Sequence, residues 1–314
     1  MDVKKILKIA IPLGLGGFLV WYSFTIVPPK ELLEYFKGAN YSWVFLGLFF
    51  GLLSHLSRAY RWKYLLEPMG YKPDFLNSVM AVLVAYLVNI FIPRGGEVSR
   101  AAVMANYEKI PFEKGFGTIV AERIADLVMM LIVILITLFF QFDFIYNLVV
   151  ENFDPVKIFL AITALTIGIF LFKRYLKNAT TGIGFKLKNF LLSLSEGVTS
   201  IFKMKNKWPF ILHTIFIWVM YVAMFWATVP AIEGLTVPFG GVLVGFLAGG
   251  FAIAATNGGL GAYPAAVGAA LTLFGIASKT AVAFGSVMWA AQTAMIIIFG
   301  GLAFLLLPVY NKNK

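Results

Sequence analysis

The chain has 314 residues, of which 60% are hydrophobic, 16% aromatic and only 13% charged, with a mean hydropathy of +0.86. That balance excludes an ordinary soluble domain, and the absence of cysteine excludes disulfides, thiol nucleophiles and thiolate metal sites. The net charge of +11 has no soluble fold to present it to nucleic acid, and fits basic loops on one side of a membrane.

Six windows approach or exceed the ~20 apolar residues that an α-helix needs to cross a bilayer. They are 6–27, 42–57, 117–140, 156–172, 210–229 and 281–307. A transmembrane barrel would show short alternating segments instead. The first window has the basic start of a signal peptide, but its apolar stretch is longer than a usual h-region and no A-x-A cleavage site follows, so it reads as a retained helix. His55 and His213 lie in separate apolar runs and read as packed or interfacial side chains, not ligands. Lys4, Lys5 and Lys8, then Arg58, Arg61, Lys63 and Lys72, then the lysines near the chain end, sort to one side if both termini are cytoplasmic in a cell (inner) membrane.

The stretch 75–110 conflicts with a simple crossing. Its apolar run "FLNSVMAVLVAYLV" leads into "NIFIPRGGEVSRAAV", and a full span over 75–93 would put Arg94, Arg100, Lys109 and Lys114 outside and invert every later loop. A hairpin removes the conflict: one arm enters from the cytoplasm, the chain turns at "PRGG", and the arm 97–107 returns. The same problem recurs at 239–275, where two short arms flank "NGGLGAY"; this hairpin enters from the opposite side. The expected fold is therefore all-α and polytopic, with about six transmembrane helices plus two inverted re-entrant helical hairpins. It forms a single integral membrane domain over 1–314, with one repeat at about 42–140 and a second at about 209–307. Between them, 182–205 has apolar residues at helical period and lysines mostly elsewhere, the pattern of a basic interfacial helix or of a solvated connector.

A turn inside a membrane needs protein or water around it, so the hairpin tips are expected to line a cavity. At the first tip the helix starting near Glu97 aims its positive end at the turn, Arg94 precedes it, and Gly95 and Gly96 permit the turn. Arg100 lies three residues beyond Glu97 and can pair with it or fork two hydrogen bonds to a phosphate. Glu122, Arg123 and Asp126 in "VAERIADL" share one helix face, as do Arg58 and Arg61 in "SRAYRW". Intramembrane charges usually face a pathway or a partner, so these residues are candidates for one chamber. Asn257, Gly258, Gly259 and Tyr263 are the candidates at the second tip. Structural alternatives stand beside each: interface anchors for Arg58 and Arg61, a self-neutralised network for Glu122, Arg123 and Asp126, a tight turn with a local ion pair for Arg94 to Arg100, and close helix packing at the second tip.

Enzyme signatures are missing. "GIASKT" lacks the second glycine of a phosphate loop, and no H-E-x-x-H, G-x-S-x-G or metal-spaced histidine pair occurs. No cofactor and no metal are expected.

"RWKYLLEPMG", "NIFIPRGGEVSRAAVM", "GTIVAERIADL" and "NGGLGAYPAAVGAAL" together resemble the transmembrane domain of lysylphosphatidylglycerol synthases and related flippase-like membrane proteins, over roughly residues 10–305. The resemblance implies lipid movement between leaflets, with Arg61, Arg94, Glu97, Arg100, Glu122, Arg123 and Asp126 as a polar headgroup site. The chain ends six residues after Pro308, so the soluble aminoacyltransferase of the best-known members is expected to be absent and lipid aminoacylation is not expected. Pro264 stands where many relatives carry an acidic residue, which puts a second-half acidic contact in question. The expected function is a translocase for an anionic or zwitterionic phospholipid or a polyprenyl-phosphate lipid. The alternatives are a small-anion secondary transporter, a membrane enzyme, or a non-catalytic subunit beside a separate lipid-modifying enzyme. Expected partners are membrane lipids, not nucleic acid.

Overall fold

The computed structural model describes residues 3–312, apart from 93, 144–145, 148–153, 179, 183, 186–187, 189–191, 193–203 and 257. The described residues form helices α1 (Val3–Ile26), α2 (Pro29–Gly38), α3 (Tyr41–Leu66), α4 (Phe75–Phe91), α5 (Gly95–Tyr107) and α6 (Phe112–Phe140). They continue as α7 (Pro155–Asn178), α8 (Lys207–Thr228), α9 (Phe239–Ala255), α10 (Ala262–Thr272) and α11 (Ser278–Tyr310), and no strand occurs among them. Among the described residues four segments are long and apolar enough to cross a membrane: Tyr41–Met69, Phe112–Phe140, Lys207–Ala231 and Ser278–Tyr310. Helices α1 and α7 cover the other two predicted windows. The chain divides into one compact unit of Met1–Glu122 with Trp208–Lys314, and a second of Arg123–Lys207. In the second unit lie the later part of α6 and α7; the basic helix expected over 182–205 lies for the most part outside the described residues.

Both hairpins are present in the first unit. Asp74 starts α4 by accepting hydrogen bonds at Oδ1 from the backbone N–H groups of Leu76 (2.8 Å) and Asn77 (3.2 Å). The helix ends where Ile92 turns extended (φ −124°, ψ 109°), as a residue before proline does. Arg94 then takes a left-handed conformation (φ 59°) and α5 begins at Gly95. The arms lie so close that a Cβ on Gly96 would press into the carbonyl oxygen of Ala85 and the side chain of Asn89. In the second hairpin Gly258, Gly259 and Gly261 supply positive φ angles of 64°, 78° and 67°, which a residue with a Cβ adopts only with strain.

Helix α11 is the ruler that shows their relative direction. Near its C-terminal end, Asn77 and Asn311 exchange two amide hydrogen bonds of 2.8 Å, and the Tyr310 hydroxyl donates to Asp74 (3.1 Å). Near its N-terminal end, Gly268 of α10 packs on Val282 and Gly285 packs on Pro264. Between them, Trp289 Nε1 donates to the Gly258 carbonyl (2.8 Å). Hairpin one therefore runs up α11 from one end and hairpin two runs down it from the other. The tips come together, with the Cβ position of Gly258 3.9 Å from Ile90 Cα. Small residues at these crossings let the backbones approach.

Three apolar clusters hold this unit. Phe225, Leu271 and Phe284 centre one; Val82, Val84, Ala303 and Leu307 join α4 to the end of α11; Trp62, Met104 and Ile119 join α3, α5 and α6. Helix α2, which no apolar window announces, starts at a proline and is tied to α11 by Glu31 to Lys279 Nζ (2.7 Å).

Candidate functional site

Beside the third cluster, α3, α5, α6 and α8 converge on Glu122. Arg100 Nη1 donates to Glu122 Oε2 at 2.5 Å and Nη2 to Oε1 at 3.5 Å, a forked approach from α5. Arg61 Nε reaches Glu122 Oε1 at 3.7 Å from α3. Arg61 Nη1 also donates to Thr214 Oγ1 of α8 (2.9 Å), and its guanidinium lies 5.2 Å from the Phe210 ring centre. The Arg100 guanidinium stacks 3.7 Å over Trp62, whose Nε1 donates to Thr118 Oγ1 (2.7 Å). Glu122 and Arg61 are 0% exposed and Arg100 2%.

Burying a carboxylate between two guanidiniums costs several kcal/mol of lost hydration per ion. The fork, the hydroxyl of Thr214 and the two aromatic faces offset that cost. The result is a charged knot at the crossing of four helices, with two planar forks already arranged to grip an oxyanion.

The other predicted residues fall in different places. Arg58 and Arg61 are buried inside α3, which runs well past the expected window, so neither is an interface anchor; Arg58 Nη2 donates to the Tyr221 hydroxyl (3.3 Å). Arg94 is exposed at the tip and occupies the residue position just before α5, without a side-chain capping hydrogen bond. Two N–H groups of the α5 start are taken by the hairpin itself: Gly96 N donates to Asn89 Oδ1 (2.8 Å) and Gly95 N to the Ile92 carbonyl (2.9 Å). Glu97 is half-buried in the first turn of α5, while Arg100 turns to Glu122. Of the charges in "VAERIADL", all carried by α6, Glu122 pairs with Arg100 and Arg61, and Arg123 Nη1 pairs with Asp126 Oδ2 at 3.5 Å one turn along the same helix. At the second tip Gly258 accepts from Trp289 and Tyr263 is buried against Gly249; Asn257 lies outside the described residues.

Trp62, Thr118, Thr214, Asn89 and Trp289 complete the geometry; of these only Trp62 stood out in the sequence, as an interface anchor beside Arg58 and Arg61, and it is fully buried instead. Thr118, Thr214 and Asn89 carried a signal, as polar side chains within otherwise apolar helix stretches. Trp289 carried none, since it is as easily a packing residue.

The sequence profile described as lysylphosphatidylglycerol synthase TM region matches residues 7–300, and the chain belongs to that family. Among curated proteins it is similar to the UPF0104 membrane protein MJ1595 of Methanocaldococcus jannaschii, at 27% identity over 125 residues. That match covers 39% of this chain and spans 37% of the relative's own length. No solved structure matches the chain.

Proposed function

We propose that this member of the family carries the polar head of an anionic or zwitterionic phospholipid, or of a polyprenyl-phosphate lipid, from one leaflet to the other. The observation that supports this most is the junction of a re-entrant hairpin with a buried arginine–carboxylate knot. Arg94 stands at the tip, and Arg100, on the helix that starts there, is held by Glu122. A phosphate brought to the tip meets Arg94 first. It can then compete with the Glu122 carboxylate for the forks of Arg100 and Arg61, which bind either oxyanion with the same geometry. Glu122 keeps the arginines aimed and partnered while no lipid is present, so the site does not have to hold bare buried charge. The acyl chains stay in the bilayer throughout. Exposure of the site to one side and then the other comes from the two oppositely directed hairpins, the arrangement by which inverted-repeat transporters alternate access. With the basic loops on the cytoplasmic side, both termini are cytoplasmic and hairpin one opens inward.

The test is leaflet exchange of labelled phosphatidylglycerol, phosphatidylethanolamine and a polyprenyl phosphate in liposomes containing the purified protein, compared with Arg94→Ala and Arg94→Ala/Arg100→Ala. Headgroup-selective exchange that falls about tenfold or more in the variants is expected, from the loss of a charged hydrogen bond of roughly 1.5–3 kcal/mol. If no lipid moves faster than in empty liposomes, with or without an ion gradient, the proposal fails and a small-anion transporter becomes the better account.

A further inference from the structure

Along α3, Arg61 is followed at three-residue steps toward the helix start by Arg58 and His55, so the three share one face over roughly 9 Å of helix. Arg61 belongs to the knot. The other two open onto a different set of neighbours. The His55 ring lies 4.3 Å from that of Tyr86 on α4, the Tyr86 and Tyr221 hydroxyls are 3.1 Å apart, and Arg58 donates to Tyr221. Trp218, one turn from Tyr221 on α8, stacks edge-on against both Tyr221 (6.4 Å) and Phe246 of α9 (6.2 Å).

Two atoms of this set are buried with no hydrogen-bond partner: His55 Nδ1, on a side chain 6% exposed, and Trp218 Nε1. Native proteins rarely leave such atoms unsatisfied, and one that persists asks for a missing partner. An indole N–H can only donate, so at Trp218 the missing partner is an acceptor. Through the contacts just given, the Arg58 guanidinium and the Tyr86 and Tyr221 hydroxyls belong to the same connected set, whose rings suit an apolar stem.

From this we infer a second binding station, formed by His55, Arg58, Tyr86, Trp218 and Tyr221, that takes a phosphate-bearing group, whether of a lipid head or of free phosphate. It joins helices of both repeats, and Tyr86 lies about two turns before Arg94 at the first hairpin tip, so the station sits between the Glu122 knot and the meeting point of the tips. It deepens the translocase proposal by giving the head a stopping place beyond Arg61, and it is tested by binding alone, so failure of exchange and failure of the station are separate results.

The experiment records the indole 1H–15N resonances of the full-length protein in detergent micelles, with the Trp218 signal among the seven tryptophans identified by its loss in Trp218→Phe. Dihexanoyl phosphatidylglycerol, inorganic phosphate and neutral dihexanoylglycerol are titrated in turn. A saturable downfield shift of the Trp218 indole with the phospholipid, absent with the neutral lipid and weakened about tenfold in Tyr221→Phe and His55→Leu, is the expected result. The same shift with inorganic phosphate but not the phospholipid supports the station as a free-anion site and counts against the lipid as its source. If neither probe moves the Trp218 signal, or if Tyr221→Phe and His55→Leu leave its titration unchanged, the station is refuted. Tyr221→Phe removes one oxygen and keeps the ring, and the other indole resonances report that each variant is folded.

Discussion

Replacing Glu122 by glutamine removes one charge and little else. Volume and one acceptor oxygen are kept, so any loss is electrostatic. In the native protein the Arg100 fork closes on the carboxylate at 2.5 and 3.5 Å and Arg61 adds a contact at 3.7 Å. With charge centres ~4 Å apart and an effective dielectric near 20, each pair is worth about 4 kcal/mol before the cost of desolvation. In Glu122→Gln that attraction goes while both guanidiniums remain buried, the situation in which broken buried pairs cost about 3–5 kcal/mol. For a unit of roughly this size the cost translates to a fall in Tm on the order of 10 °C. Thermal unfolding followed by tryptophan fluorescence in detergent measures it. The double variant Arg100→Met/Glu122→Met removes one charge of each sign and is expected to be more stable than the sum of its single variants by at least ~2 kcal/mol. A Glu122→Gln protein that melts within ~1 °C of wild type, or strict additivity in the cycle, would refute the claim that this knot fastens the four helices.

Four further outcomes follow from the same geometry. Gly96→Ala drives a methyl into the Ala85 carbonyl and Asn89, so it should lower the unfolding midpoint by an amount equivalent to about 1–3 kcal/mol, whereas Gly117→Ala, with open space around it, should not. Arg94→Gly relieves a left-handed backbone (φ 59°) that costs a non-glycine residue about 1 kcal/mol, so it should be more stable than Arg94→Ala while losing the same lipid exchange. Asn77→Leu removes the reciprocal amide pair with Asn311 and the bond to Glu108, and a loss of about 1–3 kcal/mol in chemical unfolding is expected. Gly259→Ala strains a turn at φ 78° and presses on Ile253 and Tyr263, and should slow exchange of every lipid by a similar factor without changing their order.

The hairpins were legible in the sequence because two constraints had to hold together. Charges at Arg94 and Arg100 conflicted with a crossing, and the expectation that basic loops share one side limited where each later segment could lie. The glycines then named the turns. What the sequence did not show was which charges meet. Arg100 was as well placed for Glu97, one turn away, as for Glu122 on another helix, and the choice was made by the packing of Trp62 and Met104, which brings α5 against α3 and α6. Arg58 and Arg61 were equally ambiguous, because an arginine near the end of an apolar window can snorkel to the surface or turn inward. The continuation of α3 to Leu66 and the hydroxyls of Thr214 and Tyr221 favour the inward choice. Helix α2 escaped notice because ten residues of mixed polarity make no membrane signal.

The two hairpins share a path along α11 but not a chemistry. Tip one carries Arg94 and leads to a buried knot of formal charges; tip two is built from Gly258, Gly259 and Gly261, with its carbonyl at Gly258 already engaged by Trp289. A head group that meets both tips therefore meets charge recognition in only one of them. On the translocase proposal, discrimination at the tips belongs to the first hairpin, where a phosphate competes with Glu122. The second hairpin, which offers backbone and small side chains at close quarters, would then set how readily the tips part. The inverted arrangement permits that division: two hairpins entering from opposite sides meet at a single level, so one tip can carry the charged groups for both. The other is then free to keep the glycines that let it move.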